Sequence, residues 1–410
     1  MRTTTLTLAA LLALGAVSPG AAQDARPAVL RIGVLNDMSG PFADLSGKNS
    51  VLAAQMAAED FANEAGPGAP RVEILSADHQ NKADIGAATV RRWVDQNGVA
   101  AVVDVPNSAV ALAVNQVLRE KDRAFLASST ATSDLTGPQC AATTVQWTFD
   151  TWALANGTAR ALVQKGGDTW FFVTADYAFG QALQRDASAL VGKAGGRVLG
   201  QARHPLDTTD LSAYLLQAQA SGAKVIALAN AGTDTTNAIK QAAEFGLGRD
   251  GKQRLAGLLV FLTDVHALGL PAAQGLVLTE AFYWDLNDQT RAWSKRFGER
   301  AGGRMPTMNH AGVYSSVLAY LRAAAAVGVS AGIPSGAAVV ARMAATPIDD
   351  PLFGPTVIRQ DGRAVHAMHL FQVKTPGESR GPWDYYKLLA TIAPDDAFRP
   401  MREGGCPLVK

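Results

Sequence analysis

The 410-residue chain has few of the residues that mark metal, redox or nucleic-acid-binding proteins. It contains two cysteines and six histidines, with no CxxC pair and no His/Cys spacing typical of metal ligands. Its 37 Lys and Arg residues nearly balance its 36 Asp and Glu residues and are scattered, which argues against a nucleic-acid partner. No HExxH or Walker A motif is present, and no convincing GxGxxG follows the first predicted strand. We therefore expect no catalysis, metal or cofactor.

The first predicted segment is an export signal. Arg2 precedes an apolar run at 6–17, which at about a dozen residues is shorter than the roughly 20 needed to span a membrane. Small and helix-breaking residues follow at 18–22, as in cleavable signals. The sequence thus predicts a signal peptide at 1–23, cleaved near residue 22 or 23, and a periplasmic mature protein. An uncleaved anchor is the alternative.

The two cysteines are Cys140 and Cys406. Exported thiols meet oxidising conditions, and an even number of them can pair. We expect one disulfide that ties the carboxy-terminal tail to the body of the protein. Two buried free thiols are the alternative.

The length of the chain predicts two domains. Without the leader about 388 residues remain, which is 410 less about 22, and single hydrophobic cores stop growing near 250–300 residues. A hydrophobic fraction of 48% is enough to fill two cores.

Strand-like and helix-like segments alternate along most of the chain, which favours parallel sheets covered by helices on both faces. From about residue 287 the pattern changes to helices, with two late strands. The predicted strands are 29–35, 71–77, 99–105, 124–127, 145–149, 169–174, 224–229, 257–262, 276–281, 356–358 and 367–373. The predicted helices are 46–64, 82–96, 108–120, 152–165, 179–192, 210–220, 234–245, 287–297, 309–327 and 335–345.

The same order of predicted segments occurs at two places in the chain. The strands at 30–35 and 170–174 each lead into a polar loop and a helix. This predicts two similar α/β lobes. Ligands of open α/β sheets bind beyond the carboxyl ends of the strands, so two lobes that face each other would form a cleft.

Four short motifs carry a family resemblance. They are MSGPFA at 38–43, SSTAT at 128–132, DYAFG at 176–180 and QAAEFG at 241–246. In this order they resemble the Leu/Ile/Val-binding class of periplasmic substrate-binding proteins of ABC transporters, over essentially the whole mature chain. FYWD at 282–285 with ND at 287–288 resembles a subgroup associated with aromatic or other organic acids as well as amino acids.

The resemblance implies the type I periplasmic binding protein fold. This fold has two similar Rossmann-like lobes of the α/β class, joined by a hinge of three segments. The implied boundaries place 28–149 and 281–355 in the first lobe. The second lobe would hold 150–280 and 356–410.

Hydroxyl-bearing residues at a strand end form the first candidate site. Ser128, Ser129 and Thr130 follow the apolar strand 124–127, and a carboxylate favours several donors at once. In the resembled family the matching positions bind the ligand carboxylate, with help from a serine that would here be Ser108. Ordinary turn and N-cap chemistry is the alternative.

Aromatic residues form the candidate walls of the cleft. Phe42 either projects into it from the first lobe or packs within its own loop. Phe179 lies where family members often carry a tyrosine, so one hydroxyl is missing, and Tyr177 either replaces it or packs elsewhere. Tyr283 and Trp284 either stack on a planar or apolar ligand or pack at the hinge.

Two further polar residues are candidates in the second lobe. In amino-acid binders of the resembled family an acidic residue at the position of Asp264 pairs with the ligand ammonium, and a buried carboxylate needs such a partner. A helix-capping role is the alternative for Asp264. Asn230, at the end of a predicted strand, either contacts the ligand or caps the next helix.

The sequence therefore predicts a monomeric extracytoplasmic solute-binding protein. Its ligand would be a carboxylate-bearing solute, first a branched-chain or related amino acid, delivered to a membrane ABC permease. An aromatic or other small carboxylic acid is the alternative ligand. A ligand sensor that reports to a signalling partner is the alternative role.

Overall fold

The computed structural model describes residues 29–247, 252–329 and 333–410. The predicted signal peptide at 1–23 lies outside these residues. None of the helices within them has the length and apolar character to cross a membrane.

The first sheet has five parallel strands in the order β2-β1-β3-β4-β5. Two of its three inner strands, β3 and β4, are buried along their whole length, which explains their apolar sequences, because helices cover both faces. The strands are β1 Val29–Asn36, β2 Arg71–Asp78, β3 Val99–Asp104, β4 Ala124–Ala127 and β5 Thr144–Gln146. The helices between them are α1 Gly47–Ala65, α2 Ala83–Asn97 and α3 Ser108–Glu120.

The second sheet has four parallel strands in the order β7-β6-β8-β9. They are β6 Thr169–Ala175, β7 Arg197–His204, β8 Val225–Ala229 and β9 Arg254–Gly257. The accompanying helices are α4 Thr151–Gln164, α5 Ala178–Lys193, α6 Ser212–Ala220, α7 Thr233–Glu244, α8 Leu262–Leu268 and α9 Leu270–Ala273.

The last third of the chain contributes helices and strands that pack with both parallel sheets and their helices. Helices α10 Asp288–Arg300, α11 Met308–Val327 and α12 Gly336–Ala344 pack with the first sheet, where α11 contacts α1. The antiparallel strands β11 Ile348–Asp350, β12 Gly354–Ile358 and β13 Ala364–Val365 follow. Strands β10 Val277–Glu280, β14 Met368–Val373 and β15 Tyr386–Ile392 form an antiparallel sheet, and α13 spans Pro394–Ala397.

We call the first sheet with α1–α3, α10–α12 and β11–β13 lobe 1, and the remaining elements up to β15 lobe 2. The lobe boundaries predicted from the sequence stay a prediction. Gln146 of β5 forms a bridge with Arg363, so 354–365 lie with lobe 1. We propose that the third crossing between the lobes lies near Ala367 rather than at residue 356.

Two predicted strand positions were wrong at their ends. The run 257–262 was predicted as a strand, but β9 ends at Gly257 and α8 begins at Leu262. These residues are buried, and their apolar character reflects burial of a loop. The strand predicted at 145–149 is β5, which ends at Gln146.

A buried ion pair lies where two of the crossings meet. Arg363 is fully buried; its Nη1 donates to the carbonyl of Phe149 at 2.8 Å and lies 3.5 Å from Asp150 Oδ2. Asp150 also caps α4 by accepting from the N–H of Ala153. Burial lowers the pKa of Arg363 to about 10, which leaves its guanidinium charged at neutral pH.

The predicted disulfide is present. Cys140 and Cys406 are bonded, with their Cα atoms 5.6 Å apart. The tail before Cys406 touches both lobes, because Arg359 Nη1 donates to the carbonyl of Arg399 at 2.9 Å and Asn156 Nδ2 to that of Ala397 at 3.4 Å. The tail is thus a further connection across the hinge region, fixed to lobe 1 by a covalent bond.

Replacing both cysteines, Cys140→Ser with Cys406→Ser, is expected to lower the free energy of unfolding by about 2–4 kcal/mol, because the unfolded chain loses a long covalent loop. Urea unfolding of oxidised wild type and variant measures the difference. Dithiothreitol should lower the midpoint of the wild type and leave that of the variant unchanged. Equal midpoints of the two oxidised proteins would contradict the expectation.

Candidate functional site

The candidate site is a narrow gap between the carboxyl ends of the two parallel sheets, with a cavity volume of about 10 Å³ in this closed arrangement. This is where α/β sheets bind their ligands. The residues that line it from lobe 1 are Phe42, Leu45, Pro106, Ser129, Ala131 and Asn309. Those from lobe 2 are Tyr177, Phe179, Ala231, Leu259 and Phe261.

The loop after β4 carries hydrogen-bond donors without partners. The hydroxyls of Ser128 and Ser129 are buried and make no hydrogen bond of good geometry among the described residues, although that of Ser129 lies near the Asp104 carboxylate. The main-chain N–H groups of Thr130 and Ala131 also make no hydrogen bond within that part of the chain. An unsatisfied buried donor costs about 1–3 kcal/mol, so the free donors of this loop are of the kind that an acceptor would satisfy.

Gln146 explains the direction of one of these donors. Its Nε2 donates to the carbonyls of Thr130 at 2.9 Å and Thr132 at 3.0 Å. In a trans peptide the carbonyl and the following N–H point in opposite directions. The N–H of Ala131 therefore points away from Gln146, and Ala131 lines the gap.

Thr130 and Ser108 hold the shape of the same loop. The hydroxyl of Thr130 donates to the carbonyl of Val105 at 2.6 Å. The hydroxyl oxygen of Ser108 accepts from the N–H of Thr132 at 3.2 Å. Neither hydroxyl is among the unpartnered groups, so the structure gives both side chains a supporting position.

The end of β3 is strained. Asp104 and Val105 have φ values of +84° and +57°, and a β-branched residue in this region is a genuine outlier. The turn brings the carbonyl of Asp104 to the N–H of Ser129 at 3.3 Å. Such strain is concentrated at functional sites, and here it positions the loop that carries the free donors.

The side chain of Asp104 is fully buried. It accepts from Asn36 Nδ2 at 2.9 Å and from the hydroxyl of Ser46 at 3.4 Å. Burial raises the pKa of Asp104, against the opposite effect of Ser129, Ser50 and the other neutral donors around it. The residue connects β1, the start of α1 and the loop after β4 behind the gap.

Aromatic rings form much of the gap. Phe42, Phe179 and Tyr177 line it as the sequence places them, while their contact with a ligand stays a prediction. The rings of Tyr177 and Phe179 lie 5.9 Å apart. Burial, with the nearby charge of Asp234, raises the pKa of Tyr177 well above its usual value, so its phenol stays neutral.

The loop that carries Phe42 is folded around Asp37. The Asp37 carboxylate accepts from the N–H groups of Gly40 at 2.7 Å and Phe42 at 2.9 Å, and from Asn81 Nδ2 at 2.8 Å. These bonds fix the position of the Phe42 backbone at the edge of β1.

The two lobes come into near contact at Gly232. A Cβ atom on this residue would lie 2.3 Å from the carbonyl oxygen of Pro41 and 3.1 Å from the ring of Phe42. Its φ of +61° is itself unfavourable for other residues. Only glycine therefore lets the start of α7 approach lobe 1 this closely.

Two predicted site residues are engaged elsewhere in lobe 2. Asn230 contacts His204 Nε2 through Nδ2 at 3.1 Å and accepts from the hydroxyl of Thr235 at 2.7 Å. Asp264 accepts from the N–H of Phe261 at 2.8 Å, which is the capping alternative. Burial raises the pKa of Asp264 to about 7, with a smaller contribution from Asp44.

Tyr283 and Trp284 lie outside the gap. The hydroxyl of Tyr283 and Nε1 of Trp284 both donate to the carbonyl of Trp383, at 3.0 and 2.8 Å. The ring of Tyr283 lies 5.0 Å from that of Tyr386. Both residues join the end of β10 to the segment before β15, which agrees with the hinge-packing alternative.

Sequence reasoning missed several residues of the site. Phe261 and Leu259 were interpreted as strand residues, although the buried loop that holds them lines the gap. Asn309 lies on a buried helix, where no pattern distinguishes it from core polar residues. The remaining missed residues are Leu45, Pro106, Ala131 and Ala231.

Known proteins share this architecture. The sequence profile of the periplasmic binding protein family matches residues 29–381. The chain belongs to this family, and it has the type I fold with two lobes. It is a periplasmic binding protein of the ABC-transporter type.

A periplasmic binding protein from Burkholderia mallei is 45% identical, with a TM-score of 0.88 over 93% of this chain and 99% of that one. A branched chain amino acid ABC transporter periplasmic ligand-binding protein from Burkholderia xenovorans is 37% identical, with a TM-score of 0.81 over 93% and 100%. Leu/Ile/Val-binding protein homolog 6 from Brucella melitensis is 29% identical over 68% of this chain and 70% of its own.

More distant members show the same fold. An ABC transporter solute binding protein from R. palustris in complex with 4-hydroxybenzoate is 20% identical, with a TM-score of 0.78 over 90% of this chain and 98% of that one.

Gly232→Ala is expected to keep the lobes further apart, because the added Cβ meets the Pro41 carbonyl. Small-angle X-ray scattering should give a larger radius of gyration than for the wild type. Gly222→Ala is the matched control, since Gly222 also has a positive φ of +66° but no atom within 4 Å of its added Cβ. A radius unchanged in Gly232→Ala would show that this contact does not limit the approach of the lobes.

Proposed function

We propose that this protein is an extracytoplasmic solute-binding protein that captures a small carboxylate in the gap and delivers it to a membrane ABC permease. The observation that carries the proposal is the set of unpartnered donors after β4. A carboxylate has two oxygens with about four lone-pair sites, enough to accept from the hydroxyl and N–H groups of this loop, of which Ser129 and Ala131 line the gap.

The remaining walls support an apolar ligand body. No charged side chain is among the described residues that line the gap. Phe42, Phe179, Phe261 and Leu259 instead offer aromatic and aliphatic surface. Burying such surface against a hydrocarbon or ring is favourable by roughly 25 cal/mol per Å².

The two-lobe arrangement supports delivery by closure. Donors come from lobe 1, and most of the aromatic wall comes from lobe 2, so one ligand touches both. A ligand that binds the closed form more tightly shifts the lobes toward closure. We propose that the mature protein is a monomer in the periplasm, exported by the leader at 1–23, and that its closed form presents a new surface to the permease.

Two ligand classes fit this proposal. The first is a branched-chain or related amino acid, whose ammonium would pair with Asp264; the name of the Burkholderia xenovorans relative agrees with it. The second is an aromatic or other acid without an ammonium. It is favoured by the uncharged lining and by the use of Asp264 as a cap for Phe261.

Exchange of both hydroxyls, Ser128→Ala with Ser129→Ala, is expected to weaken carboxylate binding by at least about tenfold, because hydrogen bonds to charged groups contribute about 1.5–3 kcal/mol each. A thermal-shift screen of amino acids and aromatic acids first identifies the carboxylate that binds, since a ligand of the native state raises the melting temperature. Calorimetric titration then gives the dissociation constants.

The matched control is Ser294→Ala. Ser294 of α10 also has a buried hydroxyl without a partner, but it lies outside the loop that follows β4. Its exchange should leave affinity unchanged. Equal affinity of the double variant and the wild type would reject the carboxylate site.

The two ligand classes differ in their expected pH dependence. Because burial raises the pKa of Asp264 to about 7, its carboxyl is mostly neutral at pH 6 and mostly charged at pH 8. If it pairs with an ammonium, affinity for leucine should rise by roughly tenfold from pH 6 to 8. Asp264→Asn should remove this rise.

Titrations of wild type and Asp264→Asn at pH 6, 7 and 8 measure the effect, with benzoate as the ligand that lacks an ammonium. Benzoate affinity should not depend on Asp264 over this range. A flat leucine profile in the wild type would reject Asp264 as the ammonium partner.

A further inference from the structure

Besides Ser129, the polar side chain of lobe 1 that lines the gap is that of Asn309. It lies in the first turn of α11 and is fully buried. Its Nδ2 donates to the hydroxyl oxygen of Ser46 at 3.1 Å. Its Oδ1 is buried and has no hydrogen-bond partner among the described residues. The amide thus has one end engaged inside lobe 1 and one acceptor left over.

The orientation of this amide follows from the hydroxyl of Ser46. A hydroxyl donates one hydrogen, and Ser46 donates it to Asp104 Oδ1. Its oxygen is then free only to accept, so it takes the NH₂ group of Asn309 rather than the carbonyl end. The carboxylate of Asp104 only accepts hydrogen bonds. It therefore fixes which group donates in both hydrogen bonds, from Ser46 to Asp104 and from Asn309 to Ser46.

Asn36 cannot replace Ser46 in this role. Its Nδ2 already donates to the carbonyl of Gly47 at 2.7 Å and to Asp104 Oδ2 at 2.9 Å, which uses both of its amide hydrogens. A buried carboxylate that loses one of its donors pays a desolvation cost. The donation from Ser46 to Asp104 is therefore the favoured arrangement.

The backbone around Asn309 is fixed to the same loop. The hydroxyl of Thr307 donates to the carbonyl of Leu45 at 2.9 Å, and His310 Nε2 contacts the carbonyl of Ser46 at 2.9 Å. Both residues flank Asn309 in the first turn of α11. The acceptor is thus held by a rigid element and by its neighbours.

We propose that Asn309 is a specificity-determining residue that offers a hydrogen-bond acceptor to the ligand, with Ser46 and Asp104 as positioning residues. The ligand is then a small carboxylate whose body carries an N–H or O–H donor. A ligand without this donor leaves Oδ1 unpaired in the closed gap, and a site built for a donor rejects its donor-free analogue. This inference rests on the proposed capture of a carboxylate.

Two matched pairs of probes test it. Leucine carries an ammonium that 4-methyl-2-oxopentanoate lacks, and 4-hydroxybenzoate carries a hydroxyl that benzoate lacks. The wild type is expected to bind the donor-bearing member of at least one pair at least about tenfold more tightly. Preference in the first pair identifies an amine as the donor, and preference in the second identifies a hydroxyl.

Asn309→Leu keeps the same branched skeleton of four heavy side-chain atoms but has no acceptor, so its affinity ratio within the pair should fall to about one. Ser46→Ala is the second variant. It leaves Asn309 in place but removes the partner of its amide, and it should reduce the ratio as well. Phe179→Leu is the control, because it changes the apolar wall and should alter affinity for both members of the pair alike. Melting temperatures confirm that each variant is folded.

The outcomes separate this inference from the proposed function. If donor-bearing and donor-free members bind the wild type equally, or if Asn309→Leu and Ser46→Ala keep the wild-type ratio, Asn309 is not a specificity residue and carboxylate capture stands. If no probe of either pair binds the wild type, both the proposed ligand class and the inference fail.

Discussion

The structure of the site depends on how lobe 1 uses its own carbonyl groups. The carbonyls of Thr130 and Thr132 bind Gln146, and those of Asp104 and Val105 bind the loop that follows β4. With these acceptors satisfied inside the lobe, hydroxyl and N–H donors remain for the gap. The turn at the end of β3 brings the two loops together, and the hydrogen bonds between these loops stabilise its strained backbone.

Lobe 2 contributes a different kind of surface. Its strand ends after β6, β8 and β9 bring Phe179, Ala231 and Phe261 to the gap, while its polar strand-end residues bind one another, as Asn230 does with His204 and Thr235. Polar groups without partners at the gap therefore come from lobe 1, whereas lobe 2 offers mainly aromatic and aliphatic surface. A solute with an anionic end and an apolar body matches this division.

The sequence predicted the parts of this arrangement that depend on local pattern. Alternating segments located β1, β3, β4 and α3 closely, and the hydroxyl run at 128–130 identified the loop with free donors. Strand β7 escaped prediction, because it is an edge strand whose apolar Val198 and Leu199 are exposed and whose buried residues are only Ala202 and His204. Gln146, Asp104 and Asn309 act through partners distant in sequence, which no local pattern contains.

The close approach of Gly232 to Pro41 bears on how far the two lobes can close over solutes of different size. Main-chain atoms of both lobes face each other at this point. A change of side-chain rotamer therefore cannot let the lobes come closer there. A bulkier guest would hold the two halves at a wider angle instead of being accommodated by side chains. The angle between the halves then reports the size of the guest, and a transporter that accepts only the narrow angle would sort solutes after capture.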